Sequence, residues 1–242
     1  MKTPRLRIFA GPNGSGKSTL NTIINPALLG IYINPDEIEK QIILHKYFDF
    51  ESFSIQTTPT EMTGFLMNSI LLKQAGLVAQ VSALEFVDNK IEFKKVMVNS
   101  YFAAVIADFI RQKLVETQTS FSFETVMSSS DKIDFLKKAQ QKGFRTYLYY
   151  VATKAPSINV SRVKNRVKMG GHSVPEDKII SRYRRSLDLL VDAVKSSNRA
   201  YIFDNSDSQG HVLLAEITNG KQIEMKVDLM PDWFKTAFWD KF

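Results

Sequence analysis

Eight residues near the amino terminus, Gly11-Pro12-Asn13-Gly14-Ser15-Gly16-Lys17-Ser18, have the types and spacing of a phosphate cradle. They match the pattern G-x-x-x-x-G-K-[ST]. The apolar run Leu6-Arg7-Ile8-Phe9-Ala10 precedes them and Thr19-Leu20-Asn21-Thr22-Ile23-Ile24 follows, so the pattern sits in the strand, loop and helix context it requires. Glycines allow backbone N–H groups to turn inward around a triphosphate where side chains would block the approach. The helix opening near Lys17 adds its unsatisfied N–H groups and the positive end of its dipole. Residues 11–19, including Thr19, are therefore expected to contact ATP. Lys17 is expected to neutralise the β and γ oxygens, and the Ser18 hydroxyl to help hold Mg²⁺.

Two carboxylates and a set of arginines could complete such a site. Asp36 stands at the end of Gly30-Ile31-Tyr32-Ile33-Asn34-Pro35-Asp36, which reads as a short strand running into a helix at Glu37-Ile38-Glu39-Lys40. Ligands in open parallel sheets sit beyond the carboxyl ends of the strands, so Asp36 is expected near the phosphates; an N-cap aspartate is the competing reading. Glu124 ends the strand-like Thr119-Ser120-Phe121-Ser122-Phe123-Glu124-Thr125-Val126. It could join the metal shell, orient an acceptor hydroxyl, or pair with a Lys or Arg for structure alone. Residues 157–186 carry Arg162, Lys164, Arg166, Lys168, Lys178, Arg182, Arg184 and Arg185 against Glu176 and Asp177. Two helices joined at Gly170-Gly171 and presenting arginines read as a lid able to stabilise charge on a transferred phosphoryl group. Ser173-Val174-Pro175-Glu176 resembles a capping box for the second helix, whose buried stripe is expected at Ile180, Tyr183, Leu187, Leu190 and Val194.

The elements that must position these groups follow from the rest of the chain. Its 242 residues, 44% hydrophobic and 24% charged, are enough for a sizeable core in one domain, residues 1–242. Zero cysteines exclude a disulfide framework, and His45, His172 and His211 are too scattered to suggest a histidine metal cluster. The start at Met1 shows no apolar leader and no stretch has the length of a membrane span, so a cytoplasmic protein with no membrane partner is expected. A formal charge of +7 favours anionic ligands without choosing between nucleotide and nucleic acid.

Residues 41–118 are too long for a bare connection and read as a helical insert. Glu61, Phe65, Ser69 and Leu72 mark one amphipathic run. Val98, Phe102, Val105, Ile106, Phe109, Ile110 and Leu114 mark a second. Beyond them come a helix from Asp131 that ends at Gly143, the strand Arg145-Thr146-Tyr147-Leu148-Tyr149-Tyr150-Val151 and a fifth core strand, Asn198-Arg199-Ala200-Tyr201-Ile202-Phe203-Asp204-Asn205-Ser206, that ends in polar residues. Asn219-Gly220 between two apolar runs signals a hairpin, and the aromatic tail from Pro231 reads as a short packed helix. The fold class expected is α/β: a P-loop NTPase three-layer sandwich with a mainly parallel five-strand core sheet, a helical insert, a helical lid and a C-terminal antiparallel hairpin.

Residues 11–18, Asn34-Pro35-Asp36-Glu37-Ile38, Ser122-Phe123-Glu124-Thr125 and Arg162-Val163-Lys164-Asn165-Arg166 with Gly170-Gly171-His172-Ser173-Val174-Pro175 together resemble the zeta-toxin family of small P-loop kinases. The likeness runs over about residues 5–206. It implies ATP and Mg²⁺ as cofactors, Asp36 as general base toward a sugar hydroxyl, and Lys17, Arg166 and Arg182 as groups that stabilise the transfer. Glu124, Thr125 and Arg162 fall on the substrate side. The family's best-known members phosphorylate UDP-N-acetylglucosamine. The resemblance thus implies a small-molecule acceptor, probed first as a nucleotide sugar, and by analogy an antitoxin partner. The alternative from a different class is a nucleotide-binding ATPase or polynucleotide kinase that holds RNA through its basic lid. The chain has no aromatic RNA-reading motif to favour it, so nucleic acid is the less expected partner.

Overall fold

The computed structural model describes residues 3–171, 173–207 and 210–242, without the side chain of Asn21. His172, which the sequence places in the glycine turn, lies outside the described residues. The chain divides into two compact units, one running to Gly30 and resuming over Ser120–Phe242, the other Ile31–Thr119. In chain order the first unit opens with β1 (Arg5–Ala10) and α1 (Lys17–Ile23). The second holds β2 (Ile31–Ile33), α2 (Pro35–His45), β3 (Tyr47–Asp49), α3 (Pro59–Asn68), α4 (Ile70–Gln74), β4 (Glu85–Val87), β5 (Lys90–Glu92) and α5 (Ser100–Glu116). The first then resumes with β6 (Phe121–Thr125), α6 (Asp131–Gln141), β7 (Arg145–Ala152), α7 (Pro156–Lys168), α8 (Glu176–Asp188), α9 (Leu190–Lys195), β8 (Arg199–Asp204), β9 (Val212–Thr218), β10 (Gln222–Met225) and α10 (Asp232–Ala237).

In the first unit the strands lie in the order β10-β9-β8-β7-β1-β6. β6, β1, β7 and β8 are mutually parallel, and the last two connections turn antiparallel, as the hairpin signal implied. Asn219 and Gly220 take φ of 51° and 61°, the left-handed pair that a tight hairpin with the strands' own twist requires. One face of this sheet carries Leu6, Ile8, Phe121, Phe123, Leu148 and Tyr150, all fully buried. α6 covers part of it, with Phe135 edge-on to Phe121 and Phe123. Removing each such side chain from water stabilises the fold by about 1.5–3 kcal/mol. On the opposite face Phe9, Tyr149 and Tyr201 stack at 5.2 and 5.0 Å across three parallel strands. Register places Ala10 beside Thr125 and Tyr150, and Ala152 beside Asp204, so four strands end on one edge of the sheet. No described helix is long and apolar enough to cross a membrane.

The second unit is helical where the patterning said so and adds a small sheet that the patterning did not disclose. β3, β5 and β4 pair antiparallel in three-residue strands, too short for a period-2 signal to stand out. α5 buries Phe102, Val105, Ile106, Phe109, Ile110 and Leu114 as expected. Asn99 caps it through its side-chain oxygen, which accepts from the N–H groups of Tyr101 and Phe102. The first amphipathic run is offset. Met62 and Leu66 are buried while Glu61 is exposed, and the run is broken at Ser69, whose extended ψ of 118° ends α3 and whose side chain caps α4.

Three local expectations are corrected. The helix after β2 opens at Pro35, not Glu37, because Asn34 is the cap and proline suits the first helical position. The box at Ser173 does not form. Val174 precedes Pro175, which disfavours helical backbone there, so α8 begins at Glu176 with an extended Pro175 before it and no side-chain cap. The buried stripe of α8 runs through Ile179, Tyr183 and Ser186, with Ile180 and Leu187 only half-buried. Polar Ser186 hid this register, because its hydroxyl is satisfied twice. It donates to Val126 O at 2.8 Å and lies 2.9 Å from the Tyr150 hydroxyl, which must then be the donor to Ser186.

Burial pushes the Tyr150 phenol far up from its ordinary value of 10. Tyr183, whose OH donates to Thr153 O at 2.6 Å, is pushed up to about 12 by burial and then by the Asp204 carboxylate. A raised folded-state pKa contributes stability that is fully present below the unfolded value and is lost as pH climbs from there through the folded value. Thermal midpoints are therefore expected to fall as pH rises from about 10 to 12, and less steeply in Tyr183→Phe. Ser186→Ala, which strands the Val126 carbonyl and the Tyr150 hydroxyl, should cost about 1–3 kcal/mol in urea unfolding at neutral pH.

Candidate functional site

The edge where β1, β6, β7 and β8 end carries the phosphate loop. Its shape is fixed by what surrounds it. At Gly11, with φ of 136°, a Cβ would fall 2.0 Å from the carbonyl oxygen of Val151 on β7; at Gly16, with φ of 100°, it would fall 2.2 Å from Asn205 Nδ2. Side chains at these two points are excluded by sterics and by backbone conformation together. α1 starts directly after Gly16, and no side chain caps it. Its first-turn N–H groups thus have no intrahelical acceptor and no cap from a neighbouring side chain.

Lys17 donates from Nζ to the carbonyls of Gly11 at 2.8 Å and Pro12 at 2.9 Å, which holds the ammonium over the start of the loop. Ser18 donates from Oγ to Glu124 Oε2 at 3.0 Å. The register Phe9↔Glu124 explains this meeting, since the acid stands one residue before the end of β6, abreast of the last residues of β1. Thr125, beside it, accepts from the Met127 N–H through Oγ1 at 3.0 Å and so shapes the turn after β6. Thr19 is exposed, and its carbonyl accepts from Thr22 Oγ1. Ser15 is fully buried, and neither its Oγ nor the buried Asn13 Oδ1 atom has a hydrogen-bond partner among the described residues.

The basic helices α7 and α8 are tied to neighbouring segments by side-chain hydrogen bonds. α7 is tied to the loop because Asn159 donates from Nδ2 to Asn13 O at 2.6 Å. The Oδ1 of Asn159 in turn takes the Thr153 hydroxyl at the end of β7. Arg162 donates from Nη1 to Asn205 O at 2.7 Å, which anchors the helix to the segment after β8. Arg166 is half-buried and packs its stem against Gly171, where a Cβ would fall 2.6 Å from Arg166 Cγ. Arg182 on α8 is half-buried and makes no hydrogen bond or ion pair among the described residues. Lys164 and Glu176 join α7 to α8 at 2.8 Å in an exposed pair of small energetic weight. Between these two helices lies a cavity of about 840 Å³ whose apolar walls include Val160, Val163 and Ile179.

Asp36 belongs to the second unit, where it is the second residue of α2 and exposed. It is not the cap: its own N–H donates to the Asn34 side chain at 2.9 Å, and its carboxylate has no hydrogen bond or ion pair among the described residues. The structure thus gathers residues 11–18, Glu124, Arg162 and α7 within the first unit. Sequence reasoning missed Asn159, Asn205 and His211, which hold the loop's carbonyls. The one available signal was the polar ending of β8 at Asp204-Asn205-Ser206, which marks a strand end at the ligand-binding edge.

No three His, Cys, Asp or Glu side chains gather into a metal cage among the described residues. Mg²⁺ bound with a nucleotide needs none, because it keeps waters and takes phosphate oxygens. The hard oxygens of Ser18 and Glu124 are a donor set that fits it.

Comparison with known proteins agrees with this architecture. A curated relative, an uncharacterized protein of Haemophilus influenzae, is 35% identical over 69 residues, 28% of this chain and 49% of its own length. The chain thus spans about half the length of that relative. Among solved structures, one from the PezAT chromosomal toxin-antitoxin system of Streptococcus pneumoniae aligns over all of this chain and 81% of its own, with 12% identity and a TM-score of 0.54. The AvrRxo1-ORF1:-ORF2 complex with ATP aligns over 99% of this chain and 63% of its own, with 13% identity and a TM-score of 0.56. These likenesses show the fold. The family model described as Zeta toxin matches residues 87–212, just over half of the chain, beginning well beyond the phosphate loop, and with that match the chain belongs to the Zeta toxin family.

Proposed function

We propose that this protein is an ATP- and Mg²⁺-dependent phosphotransferase that moves the γ-phosphoryl group to a hydroxyl of a small molecule, with nucleotide sugars as the first acceptors to try. The observation that carries this reading is the phosphate loop with Lys17 drawn over it and Ser18 Oγ 3.0 Å from Glu124. Family membership supports it, and so does the ATP bound in the similar AvrRxo1 complex. A zeta-toxin kinase needs little covalent chemistry from its side chains; positioning and charge stabilisation dominate phosphoryl transfer.

In this reading Lys17 exchanges its loop carbonyls for β and γ oxygens, and the α1 N-terminus adds its dipole. Ser18 and Glu124 would hold Mg²⁺, which would supply neutralisation of phosphate charge. Asp36, whose carboxylate is exposed, takes the proton of the acceptor hydroxyl as transfer proceeds in line. Arg166 and Arg182 stabilise charge on the transferred group, and Thr125 and Arg162 contribute to the acceptor side. Arg162 keeps donors for that role beyond the one given to Asn205, since a guanidinium has five. An antitoxin-type protein partner belongs to the same proposal, supported by the PezAT likeness.

The test is incubation of the full chain with labelled ATP and a panel of nucleotide sugars, small metabolites and RNA ends. Label on a nucleotide sugar or metabolite is expected; label on RNA ends alone would replace this reading with a polynucleotide kinase. Asp36→Asn should keep ATP affinity while transfer falls roughly 10²–10⁴-fold, and wild-type turnover in that variant would remove Asp36 from the mechanism. Lys17→Ala should lose ATP affinity by about tenfold or more, read by calorimetry, because the removed ammonium is a charge-assisted donor.

A further inference from the structure

Three carbonyls of the phosphate loop are held by side chains from distant parts of the chain. Asn159 Nδ2 donates to Asn13 O at 2.6 Å, and Asn205 Nδ2 donates to Ser15 O at 2.8 Å. His211 Nε2 lies 2.9 Å from Gly16 O, which also accepts the Leu20 N–H at 3.1 Å. A carbonyl only accepts, so His211 carries a proton on Nε2. Asn205 is itself fixed through its backbone. Its N–H donates to Ala152 O at 2.8 Å, its carbonyl takes Arg162, and the residue is only 8% exposed. A Cβ at Gly16 would fall 2.2 Å from Asn205 Nδ2 and 3.0 Å from His211 Nε2, so both side chains press on the turn where the loop becomes α1.

A loop that aims N–H groups at an anion must send carbonyls the other way, and in a packed fold those carbonyls need donors. If a donor is lost, the peptide can rotate its oxygen toward the phosphates, and an attraction becomes a repulsion. We propose that Asn205 and His211 are positioning residues that set the loop's affinity for nucleotide phosphates. This inference rests on the phosphate-loop reading of the preceding subsection and deepens it, since neither residue belongs to the loop's sequence pattern.

The test measures ATP binding to the full chain by calorimetry, with circular dichroism melting to establish folding. Asn205→Asp keeps the shape but sets a carboxylate oxygen against the Ser15 carbonyl. His211→Ala removes the donor, and His211→Gln restores an amide donor of similar reach. Asn205→Asp and His211→Ala are expected to weaken binding about tenfold or more, and His211→Gln to return within about threefold of wild type. Should Asn205→Asp fail to fold, the two His211 variants decide alone. Wild-type affinity in His211→Ala, or equal losses in His211→Ala and His211→Gln, would overturn the inference while a deficient Lys17→Ala left the phosphate-loop reading intact. A wild-type chain that binds no ATP, or Lys17→Ala that binds it normally, would overturn both.

Discussion

The site depends on one constraint: the phosphate loop must keep its carbonyls turned away from the space its N–H groups address. Backbone geometry alone allows this only at glycine, and here Gly11 and Gly16 lie at φ of 136° and 100°. Allowance is not enforcement. Enforcement comes from the donors on Asn159, Asn205 and His211, which reach the loop from α7, from the end of β8 and from the segment before β9. Because each net hydrogen bond is worth only about 0.5–1.5 kcal/mol, three of them acting on one short loop are what make a single conformation dominate.

The same bonds tie the basic helices to the fold. The arginines of residues 157–186 are carried by helices of which α7 is fastened at Asn159 to the loop and at Arg162 to the residue after β8. Tyr183 fastens α8 to Thr153 at the end of β7, and Ser186 fastens it to Val126 beyond β6. α7 thus helps to shape the loop, while α8 is fastened to the segments that follow β6 and β7. The fastening points are polar atoms, several of them buried, whose release would be costly.

Parts of this were legible in residue order because they are local. The phosphate loop is a contiguous pattern, the hairpin is a two-residue turn signal, and α5 repeats its apolar residues at helical spacing from Phe102 to Leu114. Parallel strands rich in aromatic and β-branched residues announced the core sheet. Misreadings came where a local rule met a competitor. Pro175 blocked the helix start that Ser173 invited, Asn34 took the cap that Asp36 could have filled, and Ser186 occupied a core position that hydrophobic periodicity assigns to apolar residues. The three-residue strands β3, β4 and β5 were too short to show a period at all.

By itself the residue order determined that a phosphate-binding turn follows a buried strand, that the chain is a mainly parallel α/β protein with a long insertion after its first strand and helix, and which acids and arginines are available. Only the tertiary structure decided that Glu124 meets Ser18, that Arg162 serves Asn205, and that an asparagine and a histidine about 190 residues downstream hold the loop's carbonyls. The physical reason is range. Turn, cap and helix preferences act over a few residues and are written in neighbouring letters. The partner of an outward carbonyl is whatever donor strand order and register bring alongside it, and that is settled only when the sheet has assembled.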